Sequence, residues 1–377
     1  MVERLFVPLT EYKYRVESKN HQYKIWQCIE SIHTFFPTSG TPKPLSPIGI
    51  NLENFTNCRG RSKVYNHETR RNRSTVRFEL SFVRNLYIVK KIKSRIMMNL
   101  VEEYVNASEL QHRDAFDLIE EFKNEMSEMR GKCIDIGCGP GDVTKKLILP
   151  KLSLEAELIG ADISKAMTDY AKQKHQGEKR LSFVQLDIET LALPNEELAQ
   201  YSNVLSFYCL HWCQNTWRAF DNIYKLLQPG GKALIMFLGW NNAFDTYMKI
   251  RENPRYKPYM EDANRFVPFF HRCKDSRATF RKMLEDVGFE ILHCSRREKS
   301  FVYENMQILK RHMIAVNPFI SRVPDHLKEE FENMVVREIA SQKILFPNKN
   351  DNGQQEYSIL DRYHLLVAYV KKPSDTC

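Results

Sequence analysis

One stretch of eight residues constrains this chain more than any other: Asp135-Ile-Gly-Cys-Gly-Pro-Gly-Asp142. It follows a short apolar run (Lys132-Cys-Ile) and precedes a segment of helical character that ends near Pro150, so it reads as the turn from a strand into a helix. Gly137, Gly139 and Gly141 remove side chains where backbone must approach a ligand closely. The spacing is G-x-G-x-G, which departs from the dinucleotide pattern G-x-G-x-x-G and lacks the Lys-Ser/Thr ending of a phosphate-gripping loop. Asp135, in front of the loop, would repel a phosphate. In open α/β sheets such a turn lies at the carboxyl ends of the strands, where ligands bind.

The residues around the loop continue the alternation. Ala115, Phe116, Ile119, Phe122, Met126 and Met129 recur at helical spacing and predict an amphipathic helix over 108–129. Downstream come a strand at 157–162 (ELIGAD), a helix at 164–175 and a strand at 181–187 (LSFVQLD). Then follow a strand at 203–208 (NVLSFY), a helix at 216–227, the turn Gln228-Pro-Gly-Gly231 and a strand at 232–238. This order argues for a mostly parallel sheet covered by helices on both faces.

Asp162 closes the second of these strands, about 20 residues past the loop, where a ribose-binding carboxylate is expected. Asp187 closes the third. Taken singly, Asp162 is equally suited to capping the next helix, and Asp187 to a turn. Three carboxylates at the ends of three successive strands behind a glycine loop favour a nucleoside ligand.

Charge divides the chain. It carries 56 Lys/Arg against 47 Asp/Glu, of which residues 1–97 hold 18 Lys/Arg, 7 Glu and no Asp; the remaining 38 basic and 40 acidic residues nearly balance. The first 97 residues include a Pro-rich stretch (37–49), an Arg-rich stretch (58–74) and a short apolar piece (78–92) without sustained period. They are expected to form a basic, poorly ordered extension, with Met97 and Met98 at the onset of ordered-looking sequence. A nucleic-acid-binding arm is the competing reading; a solvated extension outside the chemistry is preferred.

The longest apolar runs, such as Ala233–Trp240, fall far short of the ~18–20 residues of a bilayer span. The N-terminal MVERLFVPLTEYKYR lacks the apolar core of a secretory signal. Nine cysteines, without paired C-x-x-C arms, suit a reduced cytoplasmic protein with no metal.

DIGCGPGD, GADIS, LDIE and LLQPGG together resemble the class I S-adenosylmethionine-dependent methyltransferases over about 130–240. The resemblance implies a Rossmann-like, mostly parallel seven-stranded sheet with helices on both faces. It also implies S-adenosylmethionine as cofactor. Asp135, Gly137, Gly139 and Gly141 would cradle its methionine part, Asp162 its ribose, and Asp187 with Ile188 its adenine, with Ile163 a further cofactor-binding residue.

A narrower resemblance spans nearly all of 98–372. LVEEYVNASELQHRDA (100–115), SFYCLHWCQN (206–215), AFDTYMK (243–249), RFVPFFH (265–271) and YHLLVAYVKK (363–372) resemble the insect juvenile hormone acid O-methyltransferases. That family implies methyl-ester formation on a long apolar acid of the farnesoic or juvenile hormone acid type. Gln111, through its amide, and Trp212, through its indole N–H, would hold the carboxylate. On spacing alone, Ser108-x-x-Gln111 is a capping box, and Trp212 a core aromatic.

An acid with a pKa of about 4–5 is ionised at neutral pH, so no general base is needed. His211 is accordingly read as structural or orienting. The aromatic segment 241–275 and a helical pair in 304–341, broken at Pro318 and Pro324, are expected to cover the acceptor. Phe244, Tyr247, Phe266 and Phe269 are the candidates for its apolar wall. Two alternatives stand beside this reading: a methyltransferase for a phenol or amine, which would need His211 as base, and a nucleic-acid-binding protein using residues 1–97.

Overall fold

The computed structural model describes residues 101–349 and 352–374, and the backbone of four strands before them. The chain divides into two units, Met1–Leu80 and Ser81–Cys377. In the first, β1 (Glu3–Leu9), β2 (Tyr12–Lys19) and β3 (Gln22–Cys28) form an antiparallel meander, and β4 (Ile48–Gly49) pairs with β3. These strands lie within the segment expected to form a basic, poorly ordered extension. Along β2, Tyr12, Tyr14 and Val16 alternate with Lys13, Arg15 and Glu17, which is the period of a strand. The Arg-rich stretch 58–74 and the apolar piece 78–92 lie outside the described residues.

The second unit is built on β5 (Gly131–Ile136), β6 (Ala156–Asp162), β7 (Leu181–Gln185), β8 (Tyr201–Phe207), β9 (Leu227–Asn241), β10 (Glu290–Tyr303), β11 (Ile344–Lys349) and β12 (Gln355–Lys371). The strand order is β10-β12-β9-β8-β5-β6-β7, with β11 added along the start of β12 as an eighth strand. The five strands from β9 to β7 are parallel, and β12 runs antiparallel between β9 and β10. The inner strands read as unbroken apolar runs because both faces are covered: Ala233 through Phe237 are all buried.

Helices α1 (Val101–Val105), α2 (Glu109–Glu121), α3 (Lys123–Ser127), α4 (Lys165–Lys174), α5 (Thr216–Leu226), α6 (Ala243–Arg251), α7 (Ser276–Val287), α8 (Met306–Ala315) and α9 (Asp325–Ala340) complete the unit. The single helix expected over 108–129 is two, α2 and α3. Phe122 leaves helical geometry at ψ 21°, and its ring packs on His293 of β10 and Tyr369 of β12 at 5.6 and 5.7 Å.

One core joins α2, α6, α8 and α9 to one face of the sheet. The other joins α5 and α7 to the opposite face through Phe220, Phe237 and Phe280. Among the described residues no helix is long and apolar enough to cross a membrane. The strand order reverses between β5 and β8, so a crevice opens past Ile136 and Phe207.

Candidate active site

The glycine loop leaves β5 by hydrogen-bonding across to β6: the Gly137 and Cys138 N–H groups donate to the Ala161 carbonyl at 2.7 and 3.0 Å. Gly137 has φ +80°, and a Cβ there would lie 2.2 Å from the Cys209 Cβ. No other residue fits, because the backbone is left-handed and the turn after β8 sits against it. The Gly139 N–H, at φ +52°, donates to Asp162 Oδ2 at 3.0 Å. Asp162 Oδ1 accepts the Ser164 N–H at 2.8 Å. Ser164, not Asp162, caps α4, accepting from the Met167 N–H at 3.4 Å.

Asp135 is buried below the loop, where Thr144 Oγ1 donates to it at 2.6 Å. Burial pushes its carboxyl up to about 7; the Thr144 bond opposes this and the charge of Asp162 adds to it. Burial also raises Asp162, against the N–H bonds from Ser164 and Gly139. Asp187 lies two residues beyond β7, which ends at Gln185, and its Oδ1 accepts the Glu189 N–H at 3.0 Å. The Ile163 carbonyl accepts from Gln185 Nε2 at 3.0 Å. Ile188 is buried, its carbonyl held by Asn222 of α5 at 2.7 Å.

Two cavities meet at this edge. The first, about 460 Å³, is lined by the loop residues Gly137–Pro140, Asp135, Asp142, His112, Phe207, Tyr104, Gln111 and Tyr208. The second, about 610 Å³, lies under α6 and α8 and is lined by Phe244, Tyr247, Met313, His211 and Trp212, with Tyr104, Gln111 and Tyr208 again. The last three residues therefore form the boundary between the cavities.

Gln111 starts no capping box. Ser108 makes no cap bond, and its hydroxyl instead donates to the Val105 carbonyl at 3.5 Å. Gln111 Oε1, Trp212 Nε1 and His211 Nδ1 are buried without a hydrogen-bond partner among the described residues. Buried polar atoms are nearly always paired, so three orphans around one cavity mark a place for a polar ligand group. Burial lowers the His211 imidazole to about 3, which leaves it uncharged.

Of the expected wall aromatics, Phe244 and Tyr247 line the second cavity. Phe266 is buried one layer behind, edge-on to Phe319, which meets Tyr247. Phe269 stands outside, 51% exposed, because Phe270 takes the inward position of their shared turn and packs on Phe237. Tyr104 and Tyr208 were not singled out from sequence. They lie inside two of the matching stretches, but nothing local to either marks its place between the cavities.

A doubly wound sheet with an antiparallel strand inserted next to its edge, and a glycine loop and carboxylates at the switch point, is the architecture of a class I methyltransferase. Residues 134–235 match the methyltransferase domain family. Over 279 residues, 73% of this chain, the sequence is 34% identical to the juvenile hormone acid O-methyltransferase of Drosophila melanogaster and covers 93% of that protein. It is 33% identical over 279 residues to the protein of the same name from Bombyx mori, covering 98% of it. A malonyl-[acyl-carrier protein] O-methyltransferase of Ilyobacter polytropus is 28% identical over 203 residues, 53% of this chain and 71% of that one. The chain belongs to the juvenile hormone acid O-methyltransferase family.

Proposed function

We propose that this enzyme transfers a methyl group from S-adenosylmethionine to the carboxylate of a long apolar acid, of the farnesoic or juvenile hormone acid type. The methyl ester and S-adenosylhomocysteine are the products. One observation carries the reading: Gln111 and Trp212, each with a buried polar atom that has no partner among the described residues, both line the cavity that adjoins the glycine loop.

The residues present fit the cofactor. A Cβ on Gly139 would meet nothing nearer than the Tyr104 ring at 3.9 Å, so open space lies in front of that backbone. The first cavity is lined by Asp135 and Asp142 and by no Lys or Arg; Asp142 is paired with Lys146 and Lys174 from outside the lining, which leaves Asp135 as the carboxyl that suits a positively charged amino-acid end. Asp135 and the loop would hold that end, Asp162 the ribose hydroxyls, and Ile163, Asp187 and Ile188 the base. The bound cofactor supplies a methyl group on a positively charged sulfur.

The chain's own part in the reaction is orientation and dehydration. Gln111 offers its amide N–H, since a half-turn of the amide exchanges its two ends, and Trp212 offers its indole N–H. Two uncharged donors hold an anionic carboxylate without competing as acids. The acid is already ionised, so His211, uncharged and buried, has no proton to remove. Phe244 and Tyr247 line the wall beside the reacting oxygen, exclude water and accept the apolar tail, with Phe266 supporting them from behind.

Residues 98–377 carry the whole reaction in this proposal, with the cofactor core at about 130–240 and the cover at 241–275 and 304–341. Residues 1–97 contribute no group, and a chain lacking them is expected to keep its activity. The deciding experiment is a labelled-methyl screen of fatty, terpenoid and aromatic acids beside an alcohol and an amine series. Label is expected in base-labile esters of long apolar acids. Transfer to amines or phenols alone would overturn the proposal.

A further inference from the structure

We propose that Asp114 is a positioning residue which, through Tyr208, fixes the placement of Trp212 relative to Gln111; the proposal rests on the carboxylate-methylation reading above. Asp114 lies on α2, one turn beyond Gln111, with its side chain fully buried. Its Oδ2 accepts from the Tyr208 hydroxyl at 2.5 Å and the Tyr363 hydroxyl at 2.6 Å. Its Oδ1 accepts from Arg113 at 2.9 and 3.2 Å, and the Lys299 ammonium stands 3.5 Å away. A buried carboxylate surrounded in this way by donors and cations is held in one geometry.

The backbone at Tyr208 shows why that matters. Tyr208 has φ +56°, a region that is strained for a non-glycine residue and persists only where surrounding structure enforces it. Its N–H still donates to the Met236 carbonyl at 2.9 Å, as the next rung beyond β8. The chain then turns back. Cys209 packs on Gly137, and the single turn Leu210–Trp212 closes with the Trp212 N–H on the Cys209 carbonyl at 3.0 Å.

The left-handed residue thus sets the direction in which Trp212 leaves the sheet. A glycine would adopt this backbone at no steric cost, yet a tyrosine occupies it, and its hydroxyl reaches the helix that carries Gln111. Burial and the neighbouring Tyr363 and Asp114 raise the Tyr208 phenol well above its usual value, so it remains a donor. The path Gln111–Asp114–Tyr208–Trp212 joins the two proposed carboxylate donors by one turn of helix, one hydrogen bond and one reverse turn. Without the hydroxyl, residue 208 is free to relax and Trp212 to shift, and small displacements of positioning groups are costly to rate.

The test uses the full chain with a long apolar acid that the wild type methylates. Tyr208→Phe keeps the ring in the wall and removes only the hydroxyl. It is expected to lower kcat by about tenfold or more, leaving cofactor Kd and the KM for the acid within about twofold. In a Trp212→Phe background the same change is expected to add almost nothing, because the donor that Tyr208 aims is already gone. Asp114→Asn, which keeps an acceptor for Tyr208, is expected to retain more activity than Tyr208→Phe. An unaltered kcat in Tyr208→Phe, or losses that multiply in the double variant, would overturn the proposal. A wild type that methylates no acid would instead overturn the functional reading beneath it.

Discussion

The carboxylate of Asp162 bridges the glycine loop and the start of α4: one oxygen accepts the Gly139 N–H at 3.0 Å and the other the Ser164 N–H at 2.8 Å. The residue proposed to hold the cofactor ribose therefore also shapes the loop proposed to hold its methionine end. Asp162→Ala removes both functions and is expected to weaken cofactor binding by at least about tenfold, the size of a lost charge-assisted hydrogen bond. Asp162→Asn keeps one acceptor and should fall between. Calorimetric titration with S-adenosylhomocysteine reads the difference, and equal affinity in all three proteins would remove Asp162 from the site.

Burial brings Asp135 to about 7, so near neutrality its carboxyl is divided between protonated and ionised forms. The ionised form attracts a positively charged ligand and the protonated form does not. Cofactor affinity is therefore expected to rise with pH through 7, with a proton released on binding, and Asp135→Asn should flatten the dependence. The sign for stability is opposite. A carboxyl raised in the folded state destabilises the ligand-free protein fully above about pH 7, and this cost fades as pH falls toward the ordinary carboxylate value. Titrations in two buffers of different ionisation enthalpy measure the proton directly.

Gln111→Ala and Trp212→Phe each remove one neutral donor to a charged oxygen, worth about 1.5–3 kcal/mol. Each is expected to cut kcat on the acid by about tenfold to a hundredfold while cofactor titration is unchanged. Stopped assays with labelled cofactor, beside the calorimetric titration, separate the two effects.

Gly137 and Gly139 should respond differently to the same substitution. At Gly137 a methyl group collides with the Cys209 Cβ, so Gly137→Ala is expected to lower the melting temperature sharply. Cys209→Ala should fail to rescue it, because it removes the Sγ at 2.3 Å but keeps the Cβ at 2.2 Å. At Gly139 a methyl group enters the open cavity, and Gly139→Ala should spare folding more and weaken the cofactor instead. Thermal melts paired with cofactor titration distinguish the two positions.

Held uncharged by burial, His211 should leave no mark on the pH dependence of the saturated enzyme. The kcat profile on the acid is expected to show no inflection near the ordinary imidazole value of about 6.5. An acid limb there that disappears in His211→Asn would show proton transfer through the ring and favour a phenol or amine acceptor.

The local features of this protein were legible along the chain. The glycine loop, the apolar runs of the inner strands and the acidic residues near their ends depend on neighbours within a few residues, and the sheet order follows from how such units pack. The alternation along β2 was equally local. Other features belong to the fold alone.

Nothing beside Phe269 and Phe270 says which of the two turns inward, since β9 and α7 decide it from across the core. Nor does the sequence around Ser108 show that its hydroxyl bonds backward and leaves Gln111 uncommitted. The meeting of Asp114 with Tyr208 and Tyr363 joins residues 94 and 249 positions apart. It exists because β12 inserts antiparallel beside β9 while α2 packs over the same face, a relation that no short-range period encodes. Chain-local chemistry determined which groups the site has, and long-range packing decided which of them face one another.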